Sequence, residues 1–468
     1  MSDPALRTPF PERAGAALKD AFLQEALTIA TTKFIDLRRE SFAGFPQGEA
    51  LRDRARAIKE ATLQRLDAHL ERLADNVERL GGVVHWATTA DEAREIVLRL
   101  ARERGVRMAV KSKSMATEEI DLNEALEHAG VTPVETDLGE YIIQLAHEKP
   151  SHIIAPAIHK TRGQVAELFS RELRGEFPAD PEVLTAVARR ALREKFLQAD
   201  MGITGANFAV AETGTVVLVT NEGNGRMVTS LPRIHVALMG IEKVIPSMSD
   251  LMVFLAILAR SATGQKLSSY TTLVRGPRRA GELEGPEELH LILLDNGRSR
   301  QIASTLREAL YCLRCGACLN VCPVYRQIGG HAYGHTYPGP IGILLTAMLK
   351  GNESVRELAH ASSLCGACKD VCPVRIDIPR MLIELREHLD REKIAPWSER
   401  VAFRAFRRLL MSETAFRAST RAGRLLQTPF VRGGRLRGLP LLFARWTRTR
   451  DLPPVASRTF RERWKDLR

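Results

Sequence analysis

Residues 312–323 read CLRCGACLNVCP, and residues 365–373 read CGACKDVCP. These two stretches contain all seven cysteines of the 468-residue chain. The first has the spacing Cys-x2-Cys-x2-Cys-x3-Cys-Pro, which is typical of cysteines that bind iron–sulfur clusters in bacterial ferredoxins. The second repeats this spacing without its first cysteine. Together they predict two neighbouring iron–sulfur clusters of the [4Fe-4S] type and an electron-transfer function.

The spacing also predicts which cysteines share a cluster. Three thiolates at two-residue gaps can converge on one cluster, whereas the cysteine before proline ligates the other cluster in two-cluster ferredoxins. Cluster one then takes the thiolates of Cys312, Cys315, Cys318 and Cys372. Cluster two takes those of Cys322, Cys365 and Cys368. Its vacant fourth position falls at Ser362, three residues before Cys365.

Three outcomes are open for cluster two. Ser362 or water could hold the fourth iron, a non-cysteine ligand from elsewhere could do so, or the site could hold a [3Fe-4S] cluster. Cys-x2-Cys pairs also bind zinc in sets of four, but zinc explains neither the two Cys-Pro endings nor three cysteines at two-residue gaps. Positive charge near a cluster raises its reduction potential, and Arg314, Lys369 and Arg375 are candidates for this effect or for ordinary solvated surface charges.

The pattern of apolar residues predicts an α/β domain followed by a mainly α-helical region. A helical segment (1–70) precedes residues 71–297, in which short apolar stretches such as 83–87 and 152–157 alternate with amphipathic helices. This alternation favours a parallel, doubly wound sheet. Residues 298–390 favour helices, for example over 298–310 and 355–361, and form the predicted two-cluster domain. A basic, aromatic-containing C-terminal region (391–468) follows.

Three polar loops of the α/β domain are candidates for one binding pocket. Residues 111–114 (KSKS) follow a predicted strand and precede a helix, a position where open α/β sheets bind ligands. Residues 212–215 and 222–226 could join them, although capping and turn formation explain these residues equally well. No phosphate-binding glycine motif and no nucleophile–base pair is evident. The loop at 329–340, between the cysteine runs, is interpreted as a docking or proton-handling loop or as a rigid connector.

Charge and hydropathy indicate where in the cell the protein is located and which partners it could bind. The N-terminus has no apolar signal region, and the longest apolar run, 251–259, is far shorter than the ~20 residues of a membrane span, so a cytoplasmic location is expected. Residues 391–468 contain 20 Lys+Arg and 6 Asp+Glu, so their net charge is +14. The net charge of the whole chain is +12, so the remaining residues sum to −2. Such a region could dock an acidic partner, an anionic inner-membrane surface near a quinone-linked acceptor, or nucleic acid, the last of which is not expected.

Several stretches resemble one known family. Residues 311–342 (YCLRCGACLNVCPVYRQIGGHAYGHTYPGPIG) and 362–379 (SSLCGACKDVCPVRIDIP) resemble the lactate utilization protein B family. Residues 109–115 (AVKSKSM), 211–226 (AETGTVVLVTNEGNGR) and 230–244 (SLPRIHVALMGIEKV) are similar to the LUD domain of lactate utilization proteins. The arginine-rich tail is similar to that family's C-terminal region.

The resemblance implies an α/β LUD domain related to the isomerase and CoA-transferase-like superfamily. It implies a non-catalytic iron–sulfur subunit of a three-component system that oxidises L-lactate to pyruvate, with a cysteine-rich subunit and a second LUD-domain subunit as partners. The alternative is that this chain is itself catalytic, with lactate or a cofactor in the LUD domain. The family's seven ligand cysteines match those of this chain, so the gap at Ser362 belongs to the family pattern.

Overall fold

The computed structural model describes residues 8–394, 396–440, 443–447 and 450–466. The predicted segment 1–70 and the predicted tail 391–468 both include residues outside this set. The chain divides into two units, Met1–Leu389 and Asp390–Arg468.

Helices of the first unit alternate with short strands after a helical N-terminal stretch. The helices are α1 (Phe10–Ala17), α2 (Ala21–Ala43), α3 (Gly48–Gln64), α4 (Leu66–Arg79), α5 (Ala90–Glu103), α6 (Met115–Glu119), α7 (Leu122–His128), α8 (Leu138–Leu145), α9 (Arg162–Glu172), α10 (Pro181–Gln198), α11 (Asn224–Val228), α12 (Met248–Ala262), α13 (Arg298–Ile302), α14 (Ala317–Asn320), α15 (Tyr325–Ile328), α16 (Gly339–Lys350), α17 (Ala367–Val371) and α18 (Ile378–Arg391), which runs into the second unit. The strands are β1 (Val83–Ala87), β2 (Met108–Lys111), β3 (Thr132–Glu135), β4 (Met201–Gly205), β5 (Phe208–Val210), β6 (Thr215–Thr220), β7 (Ile234–Gly240), β8 (Val244–Ile245), β9 (Tyr270–Val274) and β10 (Glu288–Leu294).

A six-stranded parallel sheet in the order β1-β10-β7-β4-β2-β3 organises this unit. Its strands other than the partly exposed edge strand β1 are largely buried on both faces, because helices cover both sides. Neighbouring residues of β2 illustrate this, since Ala109 belongs to the core on one face and Val110 to the core on the other. The chain continues from β2 to β3 on one side and then returns to β4 on the other. This change of direction between β2 and β4 is where doubly wound sheets leave a crevice.

A second sheet has four strands in the order β8-β5-β6-β9. These strands lie between β4 and β10 in the sequence. Strands β5 and β6 form an antiparallel hairpin, and β6 also pairs with β9. The turn of this hairpin contains Gly214 at φ +67°, where a Cβ atom would lie 2.8 Å from the backbone of Asn76 in α4. Only glycine allows α4 to approach the hairpin so closely.

The predicted class, an α/β domain with a mainly helical cysteine region, is confirmed. The predicted strand at 152–157 is wrong, because the structure has bends and turns there. The Nδ1 atom of His152 accepts hydrogen bonds from the amides of Ile154 and Ala155, at 3.1 and 3.2 Å, and Pro156 has no N–H to donate to a neighbouring strand. The helix expected at 298–310 is wrong in extent, since an α-helix covers only Arg298–Ile302 and a 3₁₀ turn follows at Arg307–Tyr311. The helix expected at 355–361 is wrong, since the structure has only 3₁₀ and other turns there.

The second unit contains helices α19 (Trp397–Met411), α20 (Glu413–Gln427), α21 (Ala444–Thr447) and α22 (Phe460–Asp466), with a short hairpin of β11 (Val431–Arg432) and β12 (Arg435–Leu436). Large apolar side chains on α19 and α20 are exposed, including Trp397, Phe403 and Leu425. Of the helices in the described ranges of the whole chain, none has the length and apolar character needed to cross a bilayer.

Candidate iron–sulfur site and adjoining cavity

Four cysteines meet at one small cavity. Its lining includes Cys312, Cys315, Cys318 and Cys372, the set that the spacing predicts for cluster one. All four are buried. Backbone amides point at two of the sulfurs: Arg314 N–H donates to Cys312 Sγ at 3.4 Å, and Ile376 N–H donates to Cys372 Sγ at 3.3 Å. Such N–H···S contacts stabilise thiolates and tune cluster potentials.

The other three cysteines lie in a more open environment. Cys322 and Cys368 are buried, whereas Cys365 is exposed. Burial raises the pKa of the Cys368 thiol to about 12, and the neighbouring Cys322 and Cys365 thiols add to this effect. The backbone amide of Ala367 instead lowers the pKa of Cys365. These cysteines therefore lie near one another, with one edge of the group open to solvent.

Two observations test whether the residues present fit iron–sulfur clusters. Burial raises the pKa of Cys315 to about 12 and that of Cys372 to about 11, so these thiolates need a strong positive charge nearby, which iron would supply. The hydroxyl of Tyr333 is fully buried and has no hydrogen-bond partner in the described part of the chain. Burial raises its pKa, and the nearby Cys322 thiol raises it further. A cluster sulfur would give this donor an acceptor, so the residues fit.

A buried charge network lies against the cluster-one cysteines. Arg314 contacts Glu242 Oε1 at 3.2 Å and lies over the ring of Tyr337, 4.8 Å from its centroid. Lys243 donates to the carbonyl of Cys312 at 3.1 Å. Burial lowers the pKa of Lys243 to about 7, and Arg314 lowers it further. Burial alone would raise the pKa of Glu242, but Arg298, Arg314 and the nearby lysines outweigh it and lower that pKa to about 2.

Arg298 is the centre of this network. It forms a bidentate pair with Glu119, with distances of 2.9 and 2.7 Å, and bonds Glu242 Oε2 at 2.6 Å. The hydroxyl of Tyr337 donates to Glu119 at 3.0 Å. Arg298 follows β10, Glu119 ends α6, and Tyr337 precedes α16. The network therefore joins the parallel sheet to the cysteine region.

Arginines from the N-terminal helices donate hydrogen bonds to the backbone of the second cysteine run. The sequence interpretation did not predict these contacts. Arg52 donates to the carbonyl of Cys372 at 2.9 and 3.2 Å, and Arg38 donates to the carbonyl of Val371 at 3.0 Å. Arg52 is buried on the same face of α3 as Ala55 and Ile58. The sequence signal for this contact was a charged residue at a position of the apolar stripe. Charged residues are rarely buried without a partner, so such a position indicates a buried ion pair or hydrogen bond.

A second cavity of about 630 Å³ lies at the crevice between β2 and β4. Its lining includes Ser112, Lys113 and Ser114 after β2, Gly205 at the end of β4, and Asn224 at the start of α11. Arg314, Cys315, Arg298 and Lys243 also line it. The cavity therefore extends from the carboxyl ends of the strands to a cysteine of the predicted cluster one. Its volume is within the roughly 300–1,000 Å³ range of small-molecule sites.

The polar groups of this cavity have unusual environments. The Nζ atom of Lys113 is buried without a hydrogen-bond partner among the described residues, 3.8 Å from Glu140 Oε1. Burial raises the pKa of Glu140, which lies beside Lys113 but outside the cavity lining, and nearby carboxylates raise it further, although Lys113 opposes them. Burial and the neighbouring Asp137 raise the pKa of Glu222 to about 7. Perturbed groups that line a cavity are typical of binding sites.

The predicted pocket loops divide between binding and structural roles. Residues 112–114, Glu222 and Asn224 line the cavity, whereas Lys111 is buried in a pair with Glu135 at 2.5 Å. Residues 212–215 do not line it, and Glu212 instead accepts the amide of Met248 at 3.0 Å.

The other candidate residues also have defined contacts. Arg314 is buried, whereas Lys369 is exposed and bonds Asp377 at 2.6 Å, and Arg375 bonds Asp53 at 2.9 Å. The hydroxyl of Ser362 accepts the amide of Leu364 at 3.2 Å.

Comparisons with known families cover most of the chain. Residues 70–294 match the LUD domain family, residues 308–376 match the 4Fe-4S dicluster domain family, and residues 385–467 match the family described as lactate utilisation protein B, C-terminal. The dicluster match and the clustered cysteines support iron–sulfur clusters. A crystal structure of a DUF162 family protein from Deinococcus radiodurans matches 49% of this chain and 98% of its own at 13% identity and a TM-score of 0.27, which is too weak to support an argument.

Relatives are similar over nearly the full length. Lactate utilization protein B of Shouchella clausii is 43% identical, covering 98% of this chain and 96% of its own. The protein of the same name from Exiguobacterium sp. is 45% identical over 97% of both chains. An Escherichia coli protein named uncharacterized electron transport protein YkgF is 42% identical over 99% of this chain and 98% of its own. This chain therefore belongs to the lactate utilization protein B family.

Proposed function

We propose that this protein transfers electrons through two iron–sulfur clusters during the oxidation of L-lactate to pyruvate. The observation that supports the proposal is one small cavity lined by the buried Cys312, Cys315, Cys318 and Cys372, with Cys322, Cys365 and Cys368 close enough to one another to interact electrostatically. The names of the relatives, which refer to lactate utilization and electron transport, support the pathway. A bound cluster supplies reversible one-electron chemistry, and two neighbouring clusters suit the two electrons that lactate releases.

The ligand assignment is part of this proposal. Cys312, Cys315, Cys318 and Cys372 hold cluster one, which is of the [4Fe-4S] type. Cys322, Cys365 and Cys368 hold cluster two. Its fourth position is open to Ser362, water or another ligand, or is absent in a [3Fe-4S] cluster. EPR in parallel and perpendicular modes, with iron counting, distinguishes these forms, and two identical all-cysteine signals would contradict a distinct cluster two.

The test of the function is reconstitution with partners. The full chain, prepared anaerobically, is mixed with the cysteine-rich subunit and the second LUD-domain subunit of a lactate utilization system, and lactate is added. We expect reduced-cluster EPR signals only in the complete mixture. The Cys368→Ala variant should lose the cluster-two signal in the same mixture, and Ser249→Ala, an exposed serine far from the cysteines in sequence, is the control. Unreduced clusters in the complete mixture would contradict the proposal.

The 630 Å³ cavity favours a second candidate function, in which this chain itself binds lactate or a cofactor. Its lining brings together Cys315 and Lys113, whose ammonium lies 3.8 Å from Glu140 and has no hydrogen-bond partner among the described residues. A molecule the size of lactate fills only on the order of 100 Å³, judged from the ~30 Å³ share of one water in the liquid. The volume therefore suits a cofactor, or lactate together with a cofactor.

Lactate added to the purified chain alone separates the two candidates. Loss of cluster absorbance without partners would support a catalytic chain, and unchanged absorbance would support a subunit that only relays electrons. The Lys113→Met variant should abolish any such bleaching, because it removes the ammonium group from the cavity. The exposed Lys19 provides a matched control, Lys19→Met, which should bleach like the unaltered chain.

The basic second unit is proposed to dock a partner subunit. Its exposed apolar side chains, such as Phe403 and Phe406 on α19, lie among arginines. Truncation after Lys393 should leave the cluster spectra unchanged and weaken pull-down of the partner subunits. Retained pull-down together with lost binding to vesicles of anionic lipid would point instead to a membrane surface.

A further inference from the structure

Two histidines and a glutamate converge outside the cysteine sites and the cavity. Candidate ligand atoms of Glu148, His159 and His331 all lie within 4.8 Å of one another. The rings of His159 and His331 have centroids 4.5 Å apart at an interplanar angle of 67°. Glu148 and His159 belong to the loop after α8, and His331 belongs to the loop between the cysteine runs. We infer that these three residues form a site for a divalent transition-metal ion such as Zn²⁺.

The hydrogen bonds of His331 leave one of its nitrogens available for a metal. Its Nε2 atom lies 2.7 Å from the carbonyl oxygen of Lys149. A carbonyl can only accept, so Nε2 carries the hydrogen and Nδ1 keeps its lone pair. Metal-binding histidines usually have their other nitrogen held by a carbonyl or carboxylate in this way, which fixes the ring orientation.

His159 is also prepared to bind a metal. Its Nε2 atom lies 2.7 Å from Glu148 Oε2, and its Nδ1 atom is buried without a hydrogen-bond partner among the described residues. A metal ion bound by this Nε2 atom and by Glu148 Oε2 would replace the hydrogen bond that joins them, and the ring hydrogen would then lie on Nδ1.

Glu148 supplies an oxygen whose orientation is fixed. Lys160 donates to its other oxygen, Oε1, at 2.6 Å. Burial alone would raise the pKa of Glu148, but the hydrogen bonds from Lys160 and His159 outweigh it and lower that pKa, so the group is ionised. Two imidazole nitrogens with one carboxylate oxygen suit zinc and other transition ions, whereas Mg²⁺ and Ca²⁺ prefer oxygen ligands alone.

The site joins two parts of the first unit that already touch. The amide of Gly330 donates to Ser151 Oγ at 3.2 Å, and the hydroxyl of Tyr325 donates to the Ser151 carbonyl at 2.8 Å. A Cβ atom on Gly330 would lie 1.8 Å from that carbonyl oxygen. Residues 153–158, in the loop that carries Ser151, line the 630 Å³ cavity. A bound ion would therefore hold a cavity wall against the cysteine region.

Donor atoms around one zinc ion are each about 2.0–2.2 Å from it, so pairs of donors lie roughly 3–4 Å apart. Separations within 4.8 Å require only small side-chain rotations to reach this geometry. Glu148 and His331 are exposed, which gives an ion access and leaves a position for water.

The test uses the full chain with its clusters loaded anaerobically, so that the cysteines are occupied. After equilibrium dialysis against micromolar Zn²⁺, zinc and iron are measured separately by mass spectrometry. We expect about one zinc per chain, and binding weakened about tenfold or more in His159→Gln and His331→Gln. The exposed His128 offers a matched control, since His128→Gln should bind zinc like the unaltered chain. Unchanged zinc in the His159→Gln/His331→Gln double variant, or none in the unaltered chain, would overturn the proposal.

X-ray absorption at the zinc edge of the unaltered chain is a second test that needs no variant to fold. Nitrogen and oxygen scatterers at about 2.0–2.1 Å are expected. Sulfur scatterers at about 2.3 Å would mean that zinc had entered a cysteine site, which would also overturn the proposal.

Discussion

The two cysteine runs look alike in sequence, yet their surroundings in the fold differ. Cys312 and Cys315 face the parallel sheet across a buried network that includes Arg314 and Lys243, and we call this the sheet-facing side. Cys365 and its neighbour Lys369 are exposed, and we call this the solvent-facing side. Ligand spacing thus specifies the cofactor chemistry, whereas the surrounding elements determine charge and water access. Four predictions test whether this difference in surroundings has the expected consequences.

Removing one proposed cluster ligand on each side should have the largest effect. We expect Cys315→Ala to lose the cluster-one signal and roughly half of the iron, and to unfold at lower temperature, because its thiolate belongs to a fully buried set. Cys365→Ala should alter only the cluster-two signal, since its side chain is at the surface. Iron and sulfide analysis, EPR and thermal unfolding provide the measurements. Equal destabilisation by the two variants would mean that burial does not distinguish the two sides.

Removing a buried arginine should have the next largest effect. Arg298→Met leaves Glu119 and Glu242 buried without their main partner, which should lower the free energy of unfolding by about 3–5 kcal/mol. Arg380 bonds Glu308 at 2.9 Å, and its side chain is 41% exposed. Arg380→Met should therefore cost less than about 1 kcal/mol. Urea unfolding of cluster-loaded protein measures both values. Adding Glu119→Gln to Arg298→Met should restore part of the loss, and no recovery would argue against a charge effect.

Changing one charge near each cluster should shift reduction potentials unequally. A unit charge about 6 Å from a cluster, at an effective dielectric constant of about 20, contributes about 3 kcal/mol, or roughly 100 mV for one electron. Arg314→Gln should lower the potential of cluster one by this order. Lys369 is 52% exposed and is screened by water, so Lys369→Gln should lower the potential of cluster two by less than about 20 mV. Redox titrations followed by EPR measure both shifts, and similar shifts would remove the distinction between the two sides.

The sequence predicted those features that depend on local spacing. The ferredoxin pattern indicated iron–sulfur chemistry, and the alternation of strands and helices indicated the parallel sheet. The apolar stretch 152–157 does not form the expected strand. The His152 side chain accepts two of its backbone amides, and Pro156 has no amide hydrogen to donate to a neighbouring strand. The burial of Arg52 could in principle be predicted from its position on the apolar face of α3. The proximity of Cys315 to the end of β2 could not be predicted from the sequence, because residues about two hundred positions apart are brought together only by tertiary packing.

The smallest effect concerns pH, where carboxyl groups on the two sides should respond in opposite directions. Glu222, which lines the same cavity as Cys315, has a pKa raised to about 7, mainly by burial. Between its usual pKa of 4.5 and 7, the folded state holds a proton that the unfolded state has lost. Stability should therefore fall as pH rises through this window, by on the order of 3 kcal/mol from this group, and Glu222→Gln should remove this part of the slope.

Asp377, on the solvent-facing side, has a lowered pKa. Burial alone would raise it, but the hydrogen bond from Lys369 outweighs that effect. Its contribution to stability is present above the unfolded pKa and is lost as pH falls through the lower folded pKa, so Asp377→Asn should change only the acid limb below about pH 4. Urea midpoints of the two variants and the unaltered chain, measured from pH 3 to pH 8, separate the contributions. A slope between pH 5 and pH 7 that persists in Glu222→Gln would mean that another buried group on the sheet-facing side titrates there.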